Sequence, residues 1–254
     1  MVRTQNVSKH FVDRKGTVVK AVDGVTFEAV PGKVFGLLGV NGAGKTTVLR
    51  ILSTILRPTG GSAEVAGYDT VKDAERVRAS IGFMSTSTAL YGRLTAREVI
   101  LYFGGLYGLE GSRLTERLAY VTDRLDLGPF ADRLCDKLST GQKQRVNIAR
   151  TILHDPPVLF FDEPTAGLDI KNSQVVMQFI EEARTAGKTI IFSTHIMSEV
   201  ERLCDHVAVI DDGVLKAEGS VEDIKVKGED SNLERAFLNV VGYQPETGLI
   251  GAGA

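Results

Sequence analysis

Residues 39–47 read Gly39-Val40-Asn41-Gly42-Ala43-Gly44-Lys45-Thr46-Thr47 and match the pattern G-x-x-x-x-G-K-[ST]. An apolar run at 34–38 precedes them and predicts a buried strand, and apolar residues at helical spacing follow. The glycines let the backbone fold around a phosphate with its N–H groups pointing inwards, and the helix N-terminus adds positive partial charge. The bare pattern, which a glycine turn before Lys-Thr would also match, occurs by chance in about one chain in a hundred of this size. The context therefore predicts a nucleoside triphosphate site, with Lys45 at the terminal phosphates and the Thr46 hydroxyl on Mg²⁺.

The composition is that of a globular protein with little excess charge. The chain has 254 residues, of which 43% are hydrophobic and 24% charged, with a formal net charge of −2. This length fits one large α/β domain or two small ones, and the charge argues against a dedicated nucleic-acid binder. Cys135 and Cys204 match no metal-binding spacing. Since no run approaches the ~20 apolar residues of a membrane span, we expect any membrane role to come through a partner.

The residue patterns divide the chain into strand-rich and helical parts. Residues 2–37 alternate as strands do, and the helix that begins near Lys45 is predicted to continue through Leu56 until Pro58 closes it. The stretch from about 90 to 155 has helical periodicity, and strand patterns return after it. This order predicts an α/β domain with an inserted helical part.

A second apolar run, Val158 to Phe161, ends in the acidic pair Asp162 and Glu163. Ligands bind at the C-terminal edge of a parallel sheet, so Asp162 is predicted to hold Mg²⁺ through water and Glu163 to orient the attacking water. The alternative is a solvated acidic turn before Pro164.

A capping box, Ser139 to Gln142, is predicted to open another helix. The simpler interpretation is a helix start and nothing more. A serine and a glycine at a helix N-terminus also form an anion site. Two phosphate sites in one chain, one without a lysine, suggest a nucleotide shared between two copies.

Together these motifs, over about residues 2–220, resemble the nucleotide-binding subunit of an ATP-binding cassette (ABC) transporter. Residues 138–142 resemble the family signature, usually LSGGQ, with Thr140 at the first glycine. Residues 166–169 resemble its D-loop, and His195 resembles the histidine that contacts the γ-phosphate. Phe11 resembles the aromatic residue that stacks on adenine, although it also fits an edge-strand core residue.

The resemblance implies a P-loop NTPase (RecA-like) core with an N-terminal antiparallel β-subdomain and an inserted helical subdomain at about 90–155. It implies an ATPase domain over 1–225, followed by a short helix and mobile tail over 226–254. The cofactors implied are ATP and Mg²⁺, with Lys45, Glu163 and His195 as catalytic residues. The implied nucleotide-binding residues are Phe11, Gly39, Val40, Asn41, Gly42, Ala43, Gly44, Lys45, Thr46, Thr47, Ser139, Thr140, Gly141, Gln142, Asp169 and His195. The implied metal residues are Thr46, Asp162 and Thr86, which stands where the family has a glutamine.

The family also implies partners: a second copy of the chain in an ATP sandwich and an integral membrane permease. Such a subunit lies on the cytoplasmic side of the membrane. Residues 91–98, 106–109 and 233–238 are similar to those of ATPases that serve sodium and drug exporters, which favours export. No nucleic-acid partner is expected.

Two alternatives differ in class. A soluble ABC ATPase acting on nucleic acid or the ribosome typically has two cassettes or a long coiled-coil insert, and this chain has one cassette and no heptad array. A P-loop kinase would leave residues 138–142 unexplained.

Overall fold

The strands of the computed structural model, which describes residues 1–12, 14–85 and 89–243, form two sheets. The strands are β1 (Val2–Val12), β2 (Val18–Ala29), β3 (Val34–Leu38), β4 (Gly60–Val65), β5 (Tyr68–Asp69), β6 (Ile81–Ser85), β7 (Val158–Asp162), β8 (Thr189–Thr194), β9 (His206–Asp211) and β10 (Val214–Gly219). One sheet has the antiparallel order β2-β1-β4-β5. The other has the order β10-β9-β3-β8-β7-β6 and is parallel from β9 to β6. The predicted α/β class with an N-terminal antiparallel sheet is confirmed.

The helices alternate with the strands of the larger sheet, apart from the insertion between β6 and β7. They are α1 (Lys45–Leu52), α2 (Ala74–Ser80), α3 (Ala96–Leu106), α4 (Gly111–Arg124), α5 (Thr140–Ile152), α6 (Ile170–Thr185), α7 (Met197–Leu203), α8 (Val221–Lys227) and α9 (Leu233–Val240). The insertion consists of α3, α4, two short 3-10 turns and α5, as the periodicity predicts. The predicted capping box at Ser139 is present, and Thr95 forms another at the start of α3.

The larger sheet is covered on both faces. Phe160 and Phe161 are consecutive in β7 and both fully buried, so their side chains enter different cores. Phe161 packs with the inserted helices and α6, whereas Phe160 packs with α1 and the N-terminal sheet. Burial on two faces explains why β3, β7 and β8 read as continuous apolar runs.

The predicted extent of the first helix is wrong, because α1 ends at Leu52 rather than near Pro58. Thr54 has a φ of +64°, and the amides of Ile55 and Leu56 both donate to the carbonyl of Arg50. Ile55 is 60% exposed. The left-handed residue turns the chain, so the apolar spacing that continues past residue 52 does not describe one helical face.

The C-terminal helices belong to a third apolar cluster, built on β9 and β10. Ile224 of α8 and Phe237 of α9 pack there against Val207 and Val209. The expected domain boundary at residue 225 falls inside α8. Of the stretch 226–254, expected to hold a short helix and a mobile tail, residues 244–254 lie outside the described residues. Among the described residues, no helix is both long and apolar enough to cross a membrane.

Candidate functional site

The glycine-rich loop leaves β3 and ends where α1 begins, at Lys45. Gly42 and Gly44 have φ values of +87° and +108°, which residues with a Cβ rarely adopt. A Cβ on Gly44 would lie 2.5 Å from the carbonyl oxygen of Ala21. A Cβ on Gly39 would lie 2.3 Å from the carbonyl oxygen of Ile210. Gly42 and Gly44 are therefore required by their positive φ angles, and Gly39 and Gly44 by the close approach of backbone carbonyls from β9 and β2.

A cavity of about 240 Å³ lies in front of the loop. It is lined by Ala21, Asn41, Gly42, Ala43, Gly44, Lys45, Thr46, Thr47 and Glu163. The Lys45 ammonium donates to the carbonyl oxygens of Gly39 (2.6 Å) and Val40 (3.0 Å). Burial lowers the pKa of Lys45, and Glu163, whose carboxylate lies 3.5 Å from the ammonium, partly opposes that shift. The site thus presents a buried ammonium group beside the glycine-rich loop.

Asp162 is buried at the end of β7 and accepts hydrogen bonds from two hydroxyl groups. Thr46 Oγ1 lies 3.0 Å from each carboxylate oxygen, and Ser193 Oγ lies 2.7 Å from Oδ1. Hydroxyl and carboxylate oxygens suit Mg²⁺, which usually takes one or two protein carboxylates and completes its shell with phosphate and water. The pair Thr46 and Asp162 therefore fits a metal that arrives with a nucleotide.

Glu163 adopts a left-handed backbone with φ +49°. Its N–H donates to both the carbonyl oxygen (3.1 Å) and the hydroxyl oxygen (3.2 Å) of Ser193, which holds it in this conformation. Its carboxylate lies 3.3 Å from Nδ1 of the half-exposed His195. The ends of β7 and β8 thus bring a carboxylate and an imidazole together beside Lys45.

The residues that resemble the signature, 139–142, lie at the start of α5 and not at the Lys45 cavity. Ser139 Oγ accepts from the Gln142 N–H and Gln142 Oε1 accepts from the Ser139 N–H, at the exposed start of α5. Thr140 is the first helical residue, and Gly141 is buried beside the side chain of Asn172, 2.3 Å from where a Cβ would lie. None of the four lines the cavity at Lys45. Within the described part of one chain, the two predicted phosphate sites do not meet.

Comparison with known proteins fits this geometry. Residues 22–166 match the family model described as "ABC transporter". The chain belongs to the ABC transporter family. It is 40% identical to the ABC transporter ATP-binding protein NatA of Bacillus subtilis over 94% of this chain and 97% of NatA. It is also 38% identical to the daunorubicin/doxorubicin resistance ATP-binding protein DrrA of Streptomyces peucetius, over 81% of this chain and 62% of DrrA.

Solved ABC cassettes share the fold. A structure of the ATP-binding subunit of an ABC transporter superposes with a TM-score of 0.85 at 26% identity, over 94% of this chain and 99% of the other. A dimeric cassette in a post-hydrolysis state, bound to ADP and Pi, superposes with a TM-score of 0.77 at 29% identity, over 87% of this chain and 98% of the other. The chain is thus an ATP-binding subunit of the ABC class and an ATPase.

In this ABC cassette the D-loop is tied to the signature helix. Asp169 caps α6 by accepting from the backbone N–H of Asn172 (2.8 Å) and from its Nδ2 (2.7 Å). Asn172 Oδ1 in turn accepts from Arg145 of α5 (3.1 Å). The backbone hydrogen bond from Asn172 is the main cause of the lowered pKa of Asp169. Hydrogen bonds through Asn172 therefore link α5, which begins at the predicted signature, to the predicted D-loop.

Phe11 is not among the residues that line the cavity, and sequence reasoning missed one residue of the site. Phe11 is 40% exposed near the end of β1, with the Lys9 ammonium 5.1 Å from its ring centroid. Thr86 lies outside the described residues. Sequence reasoning missed Ser193, which contacts both acidic residues of this ABC site; only the pairing of β8 with β7, which sets Ser193 opposite Asp162, makes it visible.

Proposed function

We propose that this chain powers an ABC exporter by closing head-to-tail with a second copy around two ATP molecules. The observation that carries the proposal is the separation of the signature from the Lys45 cavity within one chain. Ser139 is exposed at the N-terminus of α5, where a partner's nucleotide can reach it, and a helix N-terminus suits a phosphate. A dimeric relative bound to ADP and Pi supports the same arrangement.

The roles proposed for the residues follow from their positions. The loop amides and Lys45 bind the β- and γ-phosphates, and Thr46 and Asp162 hold Mg²⁺, which neutralises charge on the phosphates. A water oxygen attacks the γ-phosphorus while the bond to the bridging β-phosphate oxygen breaks. Glu163 accepts the proton of that water, and His195 contacts the γ-phosphate. ADP and inorganic phosphate are the products.

The remaining predicted residues act at the edges of the nucleotide in this proposal. Phe11 stacks on adenine, since its ring is exposed near the end of β1. Asp169, Thr140 and Gln142 act across the dimer interface. Thr86 stands where the family uses a glutamine at Mg²⁺, and its shorter side chain offers a hydroxyl in place of an amide oxygen.

The proposed partner is an integral membrane permease, and the chain acts on its cytoplasmic side. NatA and DrrA are both named as ATP-binding proteins of transport or resistance, which favours transport over a nucleic-acid or ribosome ATPase. Loss of the γ-phosphate contact opens the dimer, and the opening drives the permease between its inward and outward states. The DrrA name favours a drug-like cargo. The resemblance of residues 91–98, 106–109 and 233–238 to ATPases of sodium and drug exporters keeps sodium ion as the other candidate.

A dimer trap tests this proposal. Glu163→Gln removes the proton acceptor but keeps the side-chain shape, so we expect it to bind ATP with Mg²⁺ and run as a dimer in size-exclusion chromatography with light scattering. Adding Ser139→Arg to the trapped variant should return it to a monomer that still binds ATP. A Glu163→Gln protein that stays monomeric at saturating ATP would contradict the sandwich.

A pull-down with the trapped variant from solubilised host membranes tests the proposed partner. Recovery of a polytopic membrane protein would identify the permease, and recovery of ribosomes would favour the soluble alternative.

A further inference from the structure

Glu199 is a buried acidic residue in the first turn of α7, and the mechanism above leaves it without a role. It is 6% exposed. Its Oε1 accepts from the hydroxyl of Thr165 (2.5 Å), and its Oε2 accepts from the hydroxyl of Thr194 (2.8 Å). Among the described residues, no Lys, Arg or His lies within 4.0 Å of the carboxylate. Both oxygens are therefore used on neutral hydroxyl groups.

The two threonines belong to the two loops that carry the proposed catalytic groups. Thr165 is two residues after Glu163, and Thr194 directly precedes His195. Thr194 Oγ1 also accepts the N–H of Ile196 (3.0 Å), which leaves its single proton for Glu199. One carboxylate thus connects the backbone on both sides of the pair Glu163 and His195.

The acidic loop is also held from its other side. Gln144 of the signature helix α5 donates to the carbonyl oxygen of Pro164, and Gln144 is itself buried. The segment 163–165 is therefore fixed between α5 and α7. Since Glu163 is in a left-handed conformation, it needs such support to stay in place.

We propose that Glu199 is a positioning residue for ATP hydrolysis, which sets the distance between Glu163 and His195 by joining Thr165 to Thr194. It acts through the two threonines that its carboxylate oxygens contact, and not on the reacting atoms. A carboxylate accepts hydroxyl hydrogen bonds more strongly than a neutral group does, which makes the link stiff. An error of about 1 Å in the position of a reacting group lowers rates by roughly 100-fold. This inference rests on the roles proposed above for Glu163 and His195.

Steady-state ATPase kinetics of the full chain with Mg²⁺ and ATP test the inference. We expect Glu199→Ala to lower kcat at least tenfold and to leave the KM for ATP within twofold, because the Lys45 cavity is untouched. Glu199→Gln keeps one oxygen acceptor and should fall between Glu199→Ala and the unchanged protein. The matched control is Glu201→Gln on the exposed face of the same helix, which loses an ion pair with Lys225 and should stay within twofold in both constants.

Variants of the threonines test the link from the other end. Thr165→Val and Thr194→Val should each lower kcat, whereas Thr165→Ser and Thr194→Ser should restore most of it. If Glu199→Ala does not fold, these four variants decide the question. A kcat within twofold in folded Glu199→Ala, or valine variants as active as the serine ones, would overturn the inference. So would a KM that rises in proportion to the loss of kcat.

The same assay separates this inference from the function on which it rests. Glu163→Gln and His195→Ala should each abolish most of the turnover. If they remain active, the proposed catalytic roles are wrong whatever Glu199 does. If they are inactive and Glu199→Ala is active, only the positioning role fails.

Discussion

Ser193 shows how one small residue organises two acidic neighbours. Its hydroxyl donates to Asp162 and accepts from the N–H of Glu163, while its carbonyl accepts from the same N–H. A serine hydroxyl can donate one hydrogen bond and accept others at once, which a carboxylate cannot do. Asp162 and Glu163, the residues proposed to hold Mg²⁺ and to activate water, are therefore fixed relative to each other through β8.

His154 makes a residue-scale prediction about pH. Burial lowers its pKa to about 4, its Nε2 lies 2.9 Å from the Ile81 carbonyl oxygen, and its ring stacks on Tyr107 at 3.6 Å between centroids. The unfolded chain therefore binds more protons here than the folded one between pH 6.5 and about 4. This contribution to stability is full above pH 6.5 and is lost as the pH falls towards 4. Between pH 7.5 and 5.0 we expect a loss of at most about 2 kcal/mol, measured by urea unfolding.

The control is His154→Phe, which keeps an aromatic ring against Tyr107 but cannot titrate. Its unfolding free energy should change less over the same pH range than that of the unchanged protein. An equal change in both proteins would show that other groups cause the dependence.

Sequence reasoning succeeds for residues whose role follows from neighbours in the chain. Lys45, Thr46, Asp162 and Glu163 stand in local patterns at strand ends, and the structure brings them together around one cavity. Glu199 has no such pattern, because its hydrogen-bond partner Thr165 is 34 residues away in the sequence. Contacts of this kind depend on which strands are neighbours in the sheet.

At the scale of elements, the sequence shows where a helix begins better than where it ends. The capping boxes at Thr95 and Ser139 locate α3 and α5 because the hydrogen bonds are made within four residues. The end of α1 could not be read in the same way. Thr54 takes a left-handed conformation there, although threonine is an unusual choice for it, and the apolar spacing continues through Ile55.

Two adjacent glycines in α3 provide a matched pair of substitutions. A Cβ at the exposed Gly105 meets nothing within 4 Å, so Gly105→Ala should stabilise the protein by about 0.5–1 kcal/mol. A Cβ at the buried Gly104 would lie 2.5 Å from Leu114 Cδ1 and 3.0 Å from Leu153 Cδ2. Thermal unfolding should therefore give Gly105→Ala a higher midpoint than the unchanged protein and Gly104→Ala a lower one than Gly105→Ala. Equal midpoints for the two variants would show that the leucines adjust without cost.

At the scale of the whole molecule, the last helix is part of the cassette core. Phe237 of α9 is 3% exposed and packs in the cluster on β9 and β10. We expect Phe237→Ala to lower the unfolding free energy by about 3–5 kcal/mol, measured in urea. The comparison is Val226→Ala on α8, which is 77% exposed and should change stability by about 0.5 kcal/mol or less. A small effect of Phe237→Ala would mean that α9 is dispensable for folding.

The backbone at Glu163 has a consequence for protein engineering. A φ of +49° is strained by about 1 kcal/mol or more for a residue with a Cβ, and glycine relieves that strain. A laboratory evolution experiment that selects only for heat resistance would therefore favour Glu163→Gly, and with Glu163 as the proposed proton acceptor the resulting protein should no longer turn over ATP. Thermal stability and ATP turnover thus favour different residues at position 163, so directed evolution of the chain needs a screen for each property.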